Sequence, residues 1–222
     1  FMPRDIVSGD FYWMYDNGDT QFIAACDCTG HGVPGAFMSI IGHNSLNKVV
    51  RELGILKPGP ILNQLNIEVV KALMQRNEEI INDGMDMTLI AFNRKKFQLE
   101  FAGAYNPLYV VRDCELFTYK SDRFPIGMSS IEAEKSFENQ IIDIKPGDMI
   151  YMCSDGYADQ FGTAEVKKYK SGNVKKLLLR ICHLPVEEQR NQLLKEILDW
   201  KGDLQQVDDI LFIGTRIPEP ES

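Results

Sequence analysis

The sequence predicts an α+β fold, in which two mainly antiparallel sheets pack together and helix pairs flank them as a four-layer α-β-β-α sandwich. Strand-like runs outnumber helical ones, and most neighbouring strands are joined by short turns, which is typical of antiparallel pairing. The helical patterns come in two pairs, one for each outer face. The chain has 222 residues, 44% of them hydrophobic and 25% charged, which is enough for one domain with its own core.

The first third of the chain predicts a hairpin and then a helix pair. Residues 5–15 and 21–26 form apolar strand patterns around the turn signal Asn17-Gly18, and the second run is apolar on both faces, as in a central strand. Apolar residues then recur at helical spacing over 34–53 and 61–82. The stretch Pro58-Gly59-Pro60 between the two helices is interpreted as a linker.

The remaining two thirds predict a meander of short strands, a second helix pair and a closing strand. Turn signals separate the strand patterns, and both later helices are amphipathic. The predicted strands cover residues 87–92, 97–102, 108–112, 116–119, 137–144, 148–153 and 210–216, and the helices cover 174–183 and 186–200.

Charge and composition exclude several classes of protein. The formal net charge of −8 argues against a nucleic-acid binder, and it fits either simple solubility or carboxylates gathered around divalent cations. No apolar run reaches the ~18–20 residues of a membrane span, and residues 1–8 lack the apolar segment of a signal peptide. Five cysteines without a C-x-x-C pair indicate neither a disulfide scaffold nor a zinc site. We therefore expect a reducing, cytoplasmic location without membrane contact.

Acidic residues follow or precede several predicted strands. Asp10, Asp27, Asp155 and the pair Asp208-Asp209 each lie where a strand meets a turn. Carboxylates that converge at one sheet edge cannot all be ionised unless cations neutralise them, and oxygen ligands favour Mg²⁺ or Mn²⁺. A single aspartate in a turn is usually a backbone cap, so the prediction of a metal site depends on the joint pattern.

Six motifs in order resemble the SpoIIE/RsbU phosphatase domain of the metal-dependent (PPM, type 2C) protein phosphatase superfamily. The resemblance covers residues 3–217 and implies an α-β-β-α sandwich. It also implies that residues 1–222 are a single domain from the C-terminal part of a longer sensor protein, without the first strand or strands of the family. The motifs are Ser8-Gly9-Asp10-Phe11-Tyr12, residues 27–36, residues 101–107, Pro125-Ile126-Gly127, residues 154–159 and Asp208-Asp209-Ile210.

The resemblance implies a centre of two Mn²⁺ or Mg²⁺ ions. Asp27 would bridge both ions, Asp10 would hold one, and Asp155 and Asp208 would bind the other. The backbone carbonyl of Cys28 would complete the ligand set, and the cysteine thiols would be packing residues. Lower-ranked candidates for outer ligands are Asp159, Asp209 and Asp86, the last of which also suits a turn in Gly84-Met85-Asp86.

His31, in the Gly30-His31-Gly32 loop, has two interpretations. It can protonate the leaving serine oxygen as a catalytic residue, or it can hold the loop by hydrogen bonding. Arg4 is the only arginine before the first motif and does not align with a phosphate-binding role. Metals alone would then hold the phosphate, and specificity would come from protein–protein contacts.

The resemblance implies a serine/threonine phosphoprotein phosphatase that uses a metal-activated water. Its substrate would be a phosphorylated bacterial signalling protein such as an anti-sigma-factor antagonist. The implied partners are this substrate, an upstream sensor domain and a second copy in a homodimer, with no nucleic acid. A catalytically silent partner-binding domain and a hydrolase of other phosphoesters stay open as alternatives.

Overall fold

The computed structural model describes residues 1–74, 83–127, 135–163 and 166–219, and within them it contains two antiparallel sheets. The first sheet has the order β1-β2-β3-β4-β7 and the second has the order β6-β5-β8-β9. The strands are β1 Phe11–Asp16, β2 Thr20–Cys28, β3 Met85–Asn93, β4 Gln98–Ala104, β5 Leu108–Arg112, β6 Glu115–Tyr119, β7 Gln140–Ile142, β8 Met149–Cys153 and β9 Phe212–Arg216.

Helices cover both outer faces of the two sheets. The described helices are α1 Gly32–Asn47, which continues into a π-helical turn over Lys48–Glu52, then α2 Pro58–Met74, α3 Gly156–Asp159, α4 Ser171–Ile181 and α5 Val186–Lys201. None of them, within the described ranges, is long and apolar enough to cross a membrane.

Three apolar clusters separate the four layers. One lies between α1, α2 and the first sheet, one between the two sheets, and one between the second sheet and α4 with α5. Strand β2 contributes to two of them, because Phe22 and Ala24 face the helices whereas Ile23 and Ala25 face the second sheet. This alternation confirms the α+β sandwich and the prediction that β2 is buried on both faces.

Some predicted boundaries were wrong. Residues 58–60 are not a linker but the first turn of α2, where a proline loses no hydrogen bond because the first N–H groups of a helix have no partner inside the helix. The first strand begins at Phe11 rather than at residue 5. The predicted second helix reaches residue 82, but its part over 75–82 lies outside the described residues. Gly54, with φ of +68°, follows the end of the first helical segment.

Candidate metal centre

The predicted acidic residues lie at one end of the sandwich, where both sheets contribute. Asp27 is the last residue but one of β2 and is paired in register with Asp86 of β3. Asp155 follows β8 in the other sheet, and its N–H donates a hydrogen bond of 3.2 Å to Asp27 Oδ2. The ends of β2 and β8 therefore meet, and they bring the carboxyl groups of two sheets together.

Asp10 lies close to Asp27, and one of its carboxylate oxygens makes no hydrogen bond. It directly precedes β1, and its side chain is only 5% exposed. Its Oδ2 atom has no hydrogen-bond partner, whereas buried polar atoms in proteins are nearly always paired. Asp155, Asp208 and Asp209 all lie close enough to repel its negative charge. A buried carboxylate oxygen without a donor is a suitable ligand for a cation.

Burial and mutual repulsion raise the pKa values of the carboxyl groups in this cluster. Desolvation, together with the charges of Asp209, Asp208 and Asp155, raises the pKa of Asp10 from 3.8 to about 7, although a hydrogen bond with Ser154 lowers it in part. Desolvation and then the charges of Asp10, Asp155 and Asp86 raise the pKa of Asp27 to about 9. Desolvation and Asp155 raise the pKa of Asp86 to about 7. A divalent cation would replace these protons, because it favours the ionised carboxylates.

Close backbone packing holds the loops that carry these residues. A Cβ atom on Gly35 would lie 2.3 Å from the carbonyl oxygen of Gly30, and one on Gly9 would lie 2.6 Å from that same oxygen. These distances are too short for any side chain. Glycine is therefore required at positions 9 and 35 for the start of α1 and the segment before Asp10 to approach the Gly30 loop. Gly9 also packs against the backbone of Cys28, whose carbonyl oxygen would lie 3.2 Å from a Cβ atom on Gly9.

Asp209 acts as a backbone clamp in this structure. Its side chain is 2% exposed, and its two oxygens accept hydrogen bonds from the Arg4 N–H at 2.7 Å and the Gly9 N–H at 2.9 Å. Asp208 is partly exposed, and its Oδ1 accepts a bond from the Asp209 N–H at 2.8 Å. Asp209 therefore connects the loop before β9 to the segment before Asp10.

The other candidates lie at the rim. Asp159 pairs with Lys168 Nζ at 2.7 Å, and both side chains are partly exposed. His31 Nδ1 lies 2.9 Å from Asp5 Oδ2, and both of these side chains are about half exposed. The His31–Asp5 contact favours the loop-holding interpretation, because it links the loop before α1 to the N-terminal segment.

The Arg4 side chain contacts backbone. Its guanidinium donates to the Val207 carbonyl at 2.9 Å. The absence of a phosphate-binding role for Arg4 stays a prediction from the sequence.

Asp86 is the residue that sequence reasoning underweighted. The stretch Gly84-Met85-Asp86 looked like a turn, but Met85 and Asp86 are the first residues of β3. A Cβ atom on Gly84 would lie 2.6 Å from the Ile126 carbonyl, so this glycine permits a close crossing and does not mark a turn. Extending the apolar strand pattern of residues 87–92 backwards by one residue would have placed Asp86 beside Asp27.

The chemistry of the cluster suits divalent cations, although its side chains are not arranged as a complete set of metal ligands. Among the described residues, no group of three or more His, Cys, Asp or Glu side chains is arranged to hold an ion as it stands. One Asp27 oxygen accepts the Asp155 N–H instead. The residues nonetheless suit a hard cation, because they are oxygen donors, buried, mutually repulsive and in one case without a partner.

Comparisons with known proteins agree with the fold. Residues 17–218 match the family described as Stage II sporulation protein E (SpoIIE). The phosphoserine phosphatase RsbU of Bacillus subtilis (strain 168) is 27% identical over 164 residues, which are 71% of this chain and 45% of that protein. The chain thus spans less than half the length of this curated relative.

Two solved structures extend the comparison. The SiaA-PP2C domain of Pseudomonas aeruginosa is 29% identical with a TM-score of 0.88, over 97% of this chain and 83% of that one. The PP2C phosphatase domain of SpoIIE from Bacillus subtilis, solved with a fragment of its regulatory domain, has a TM-score of 0.74 at 22% identity, over 97% of this chain and 61% of that one. The second likeness shows the shared fold.

The fold and these relatives together define a domain of the PP2C type, whose superfamily consists of metal-dependent phosphatases. The chain belongs to the SpoIIE family.

Proposed function

We propose that this domain hydrolyses phosphoserine or phosphothreonine on a protein with the help of two divalent cations, Mn²⁺ or Mg²⁺. One observation carries the proposal: the buried Asp10 carboxylate has an oxygen without a donor and lies among Asp155, Asp208 and Asp209. A protein seldom retains such a costly cluster without a ligand for it.

Each aspartate has a distinct role in the proposed centre. Asp27 would contact both ions, because it lies where the two sheets meet. Asp10 would bind one ion through its unpartnered oxygen, and Asp155 and Asp208 would bind the other, with the Cys28 carbonyl as a further ligand. When bound, the cations would supply a water activated at neutral pH and would neutralise charge on the phosphoryl group.

Asp86 and Asp209 would support this centre. Asp86 is Asp27's neighbour across the β2–β3 pair, so it adds negative charge that strengthens cation binding. Asp209 would position the segment before Asp10 through the Arg4 and Gly9 N–H groups. Asp159 would act as an outer ligand after release from Lys168.

His31 would donate a proton to the leaving oxygen of serine or threonine. It is exposed at the start of α1, and the Asp5 carboxylate bonded to Nδ1 would hold the ring in place. The exposed position lets a protein substrate reach Nε2. The pair Asp5 and His31 thus combines both sequence interpretations, loop holding and proton transfer.

The substrate would be a phosphorylated signalling protein of the anti-sigma-factor antagonist type in a bacterial cytoplasm. The similarity to a phosphoserine phosphatase supports this class. Arg4 is bonded to the Val207 carbonyl, so specificity would come from contacts between the two proteins. A sensor domain upstream and a homodimer complete the proposed set of partners.

Phosphate release from a phosphoserine protein tests this function. We expect release with millimolar Mn²⁺ or Mg²⁺, none with excess EDTA, and recovery on adding metal back. Binding of the phosphoprotein without hydrolysis at any metal concentration would instead identify a silent partner-binding domain. Cleavage of nucleic acid in place of phosphoserine would identify a different phosphoesterase.

A further inference from the structure

One of the five cysteines lies outside the packed interior and contacts a buried one. Sequence reasoning took all five thiols as packing residues, but Cys114 is exposed, whereas Cys182 is 7% exposed at the end of α4. The two side chains are close enough to form a hydrogen bond with each other. An exposed thiol in contact with a sheltered one is the arrangement that two-cysteine redox chemistry requires.

The fold explains why these two thiols meet. A two-residue turn joins β5 to β6, and Cys114 is its second residue. Arg112, the last residue of β5, pairs with Glu115, the first residue of β6. Leu116 of β6 packs on the apolar cluster that contains Cys182. The cation–π contact of Lys175 with Tyr109 places α4 against β5.

The turn holds Cys114 in an unusual backbone conformation. Asp113 and Cys114 have φ of +49° and +62°, as a type I′ hairpin turn requires, and glycine or asparagine is the usual choice at such positions. A cysteine here carries a conformational cost of the kind found at functional positions. The restricted turn also limits the directions that the thiol can take.

Arg216 holds the backbone that carries the sheltered thiol. Its guanidinium donates to the Cys182 carbonyl at 3.0 Å and to the Leu184 carbonyl at 2.9 Å. Burial and Cys114 disfavour the Cys182 thiolate, and the positive charge of Arg216 acts in the opposite direction. On balance the pKa of the Cys182 thiol is raised, so Cys182 is the thiol that reacts second.

We propose that Cys114 and Cys182 form a reversible disulfide when the domain meets a peroxide. The Cys114 thiolate attacks one peroxide oxygen, which breaks the O–O bond and yields a Cys114 sulfenic acid and hydroxide. The Cys182 thiolate then attacks the Cys114 sulfur, which breaks the S–O bond and releases a second hydroxide. The protons from the two thiols convert both hydroxides to water, and a dithiol reductant reverses the change.

The bond would act on the second sheet and not on the metal centre. Val111 of β5 pairs with Met149 at the start of β8, whereas Asp155 follows the end of β8. The turn with Cys114 is therefore at the opposite end of the sheet from Asp155. The crosslink would fasten this turn to α4 and restrict the unfolded chain between the two cysteines, so it should raise the melting temperature.

Titration of the domain with hydrogen peroxide, followed by alkylation under denaturing conditions and peptide mass analysis, tests the proposal. We expect the count of free thiols to fall from five to three, with one peptide linking Cys114 to Cys182, and to return to five with dithiothreitol. The Cys114→Ser variant, which changes only an exposed side chain, should fold and lose the crosslink and the rise in melting temperature. Asp113→Asn, in the same turn, should crosslink like the parent.

Three outcomes would overturn the proposal. The first is a domain that keeps all five free thiols although the peroxide oxidises the thiols of a control protein in the same solution. The second is a disulfide that joins two chains or a different pair of cysteines. The third is Cys114 found as sulfinic or sulfonic acid without the linked peptide.

Discussion

The N–H of Asp155 and the carboxylate of Asp27 form a 3.2 Å hydrogen bond between residues that are 128 positions apart in the chain. This bond joins the end of β8 in one sheet to the end of β2 in the other. Asp27 is the residue whose pKa rises furthest in the acidic cluster, to about 9, because it is desolvated and surrounded by Asp10, Asp155 and Asp86. The contact between the sheets and the proposed cation site therefore involve the same residues.

Asp27→Asn should abolish hydrolysis. It removes the one carboxylate proposed to contact both ions while keeping the size of the side chain, and a loss of at least ~10³-fold in kcat is expected if the cations generate the nucleophile. Phosphate release from a phosphoserine protein at saturating Mn²⁺ measures this. The matched control is Asp19→Asn, an exposed aspartate paired with Lys95 near the opposite end of β2, which should retain activity. An active Asp27→Asn enzyme would remove Asp27 from the centre.

Without metal, the domain should lose stability as pH rises. Asp10 and Asp86, with pKa values of about 7, and Asp27, at about 9, hold protons in the folded state that they lose near pH 3.8 in the unfolded state. Their contribution is complete below pH 3.8 and is lost as pH rises from there through the folded pKa values of about 7 to 9, because over that range the unfolded state binds fewer protons.

Denaturant unfolding in EDTA between pH 5 and 9 measures this slope. Mg²⁺ should restore stability more at pH 8 than at pH 6, because fewer protons then compete with it. Asp10→Asn, which keeps the shape but cannot ionise, should flatten the metal-free slope. A metal-free stability that stays level or increases from pH 6 to 9 would contradict the account of the cluster.

Asp209→Ala should destabilise the fold as well as the centre. It leaves the buried N–H of Gly9 and the N–H of Arg4 without their acceptor, at a cost of about 1–3 kcal/mol in the free energy of unfolding. Chemical denaturation with metal absent separates this cost from metal binding. Asp203→Ala, at an exposed position after α5, is the control and should change little. Equal stabilities of the two variants would show that Asp209 is not a clamp.

Gly156→Ala should disturb the junction of α3 and the loop before β9. The added Cβ atom would lie 2.0 Å from the Asp209 carbonyl oxygen, so the backbone must move, at a cost of roughly 1–3 kcal/mol. Gly172→Ala is the matched control in α4, where a Cβ atom has no neighbour within 4 Å and alanine favours the helix. Thermal melts of both variants make the comparison. A Gly156→Ala variant as stable as its control would refute the close packing.

The part of the site that could be predicted lies at the ends of apolar strands. Asp10, Asp27 and Asp155 each adjoin an apolar strand, so the pattern places them at sheet edges, and the motifs align them. Asp86 was harder to recognise, because a glycine that permits a close crossing looks the same in sequence as a glycine in a turn. Residues 58–60 were misassigned for a similar reason, since proline suits both a linker and a first helical turn.

Long-range partners explain what the sequence could not show. Nothing local indicates that the Asp209 carboxylate accepts the Gly9 N–H, 200 positions away. Nor does local sequence indicate that Cys114 meets Cys182, because the contact depends on how α4 lies over β5. The unpartnered oxygen of Asp10 is likewise a property of the assembled core.

Anomalous scattering at the manganese edge, from crystals of the domain grown with Mn²⁺, tests the central claim most directly. The account predicts two peaks about 3.5–4 Å apart. Asp27 should contact both of them, Asp10 one, and Asp155 and Asp208 the other. A single peak away from these carboxylates, or no peak at a Mn²⁺ concentration that supports phosphate release, would contradict it.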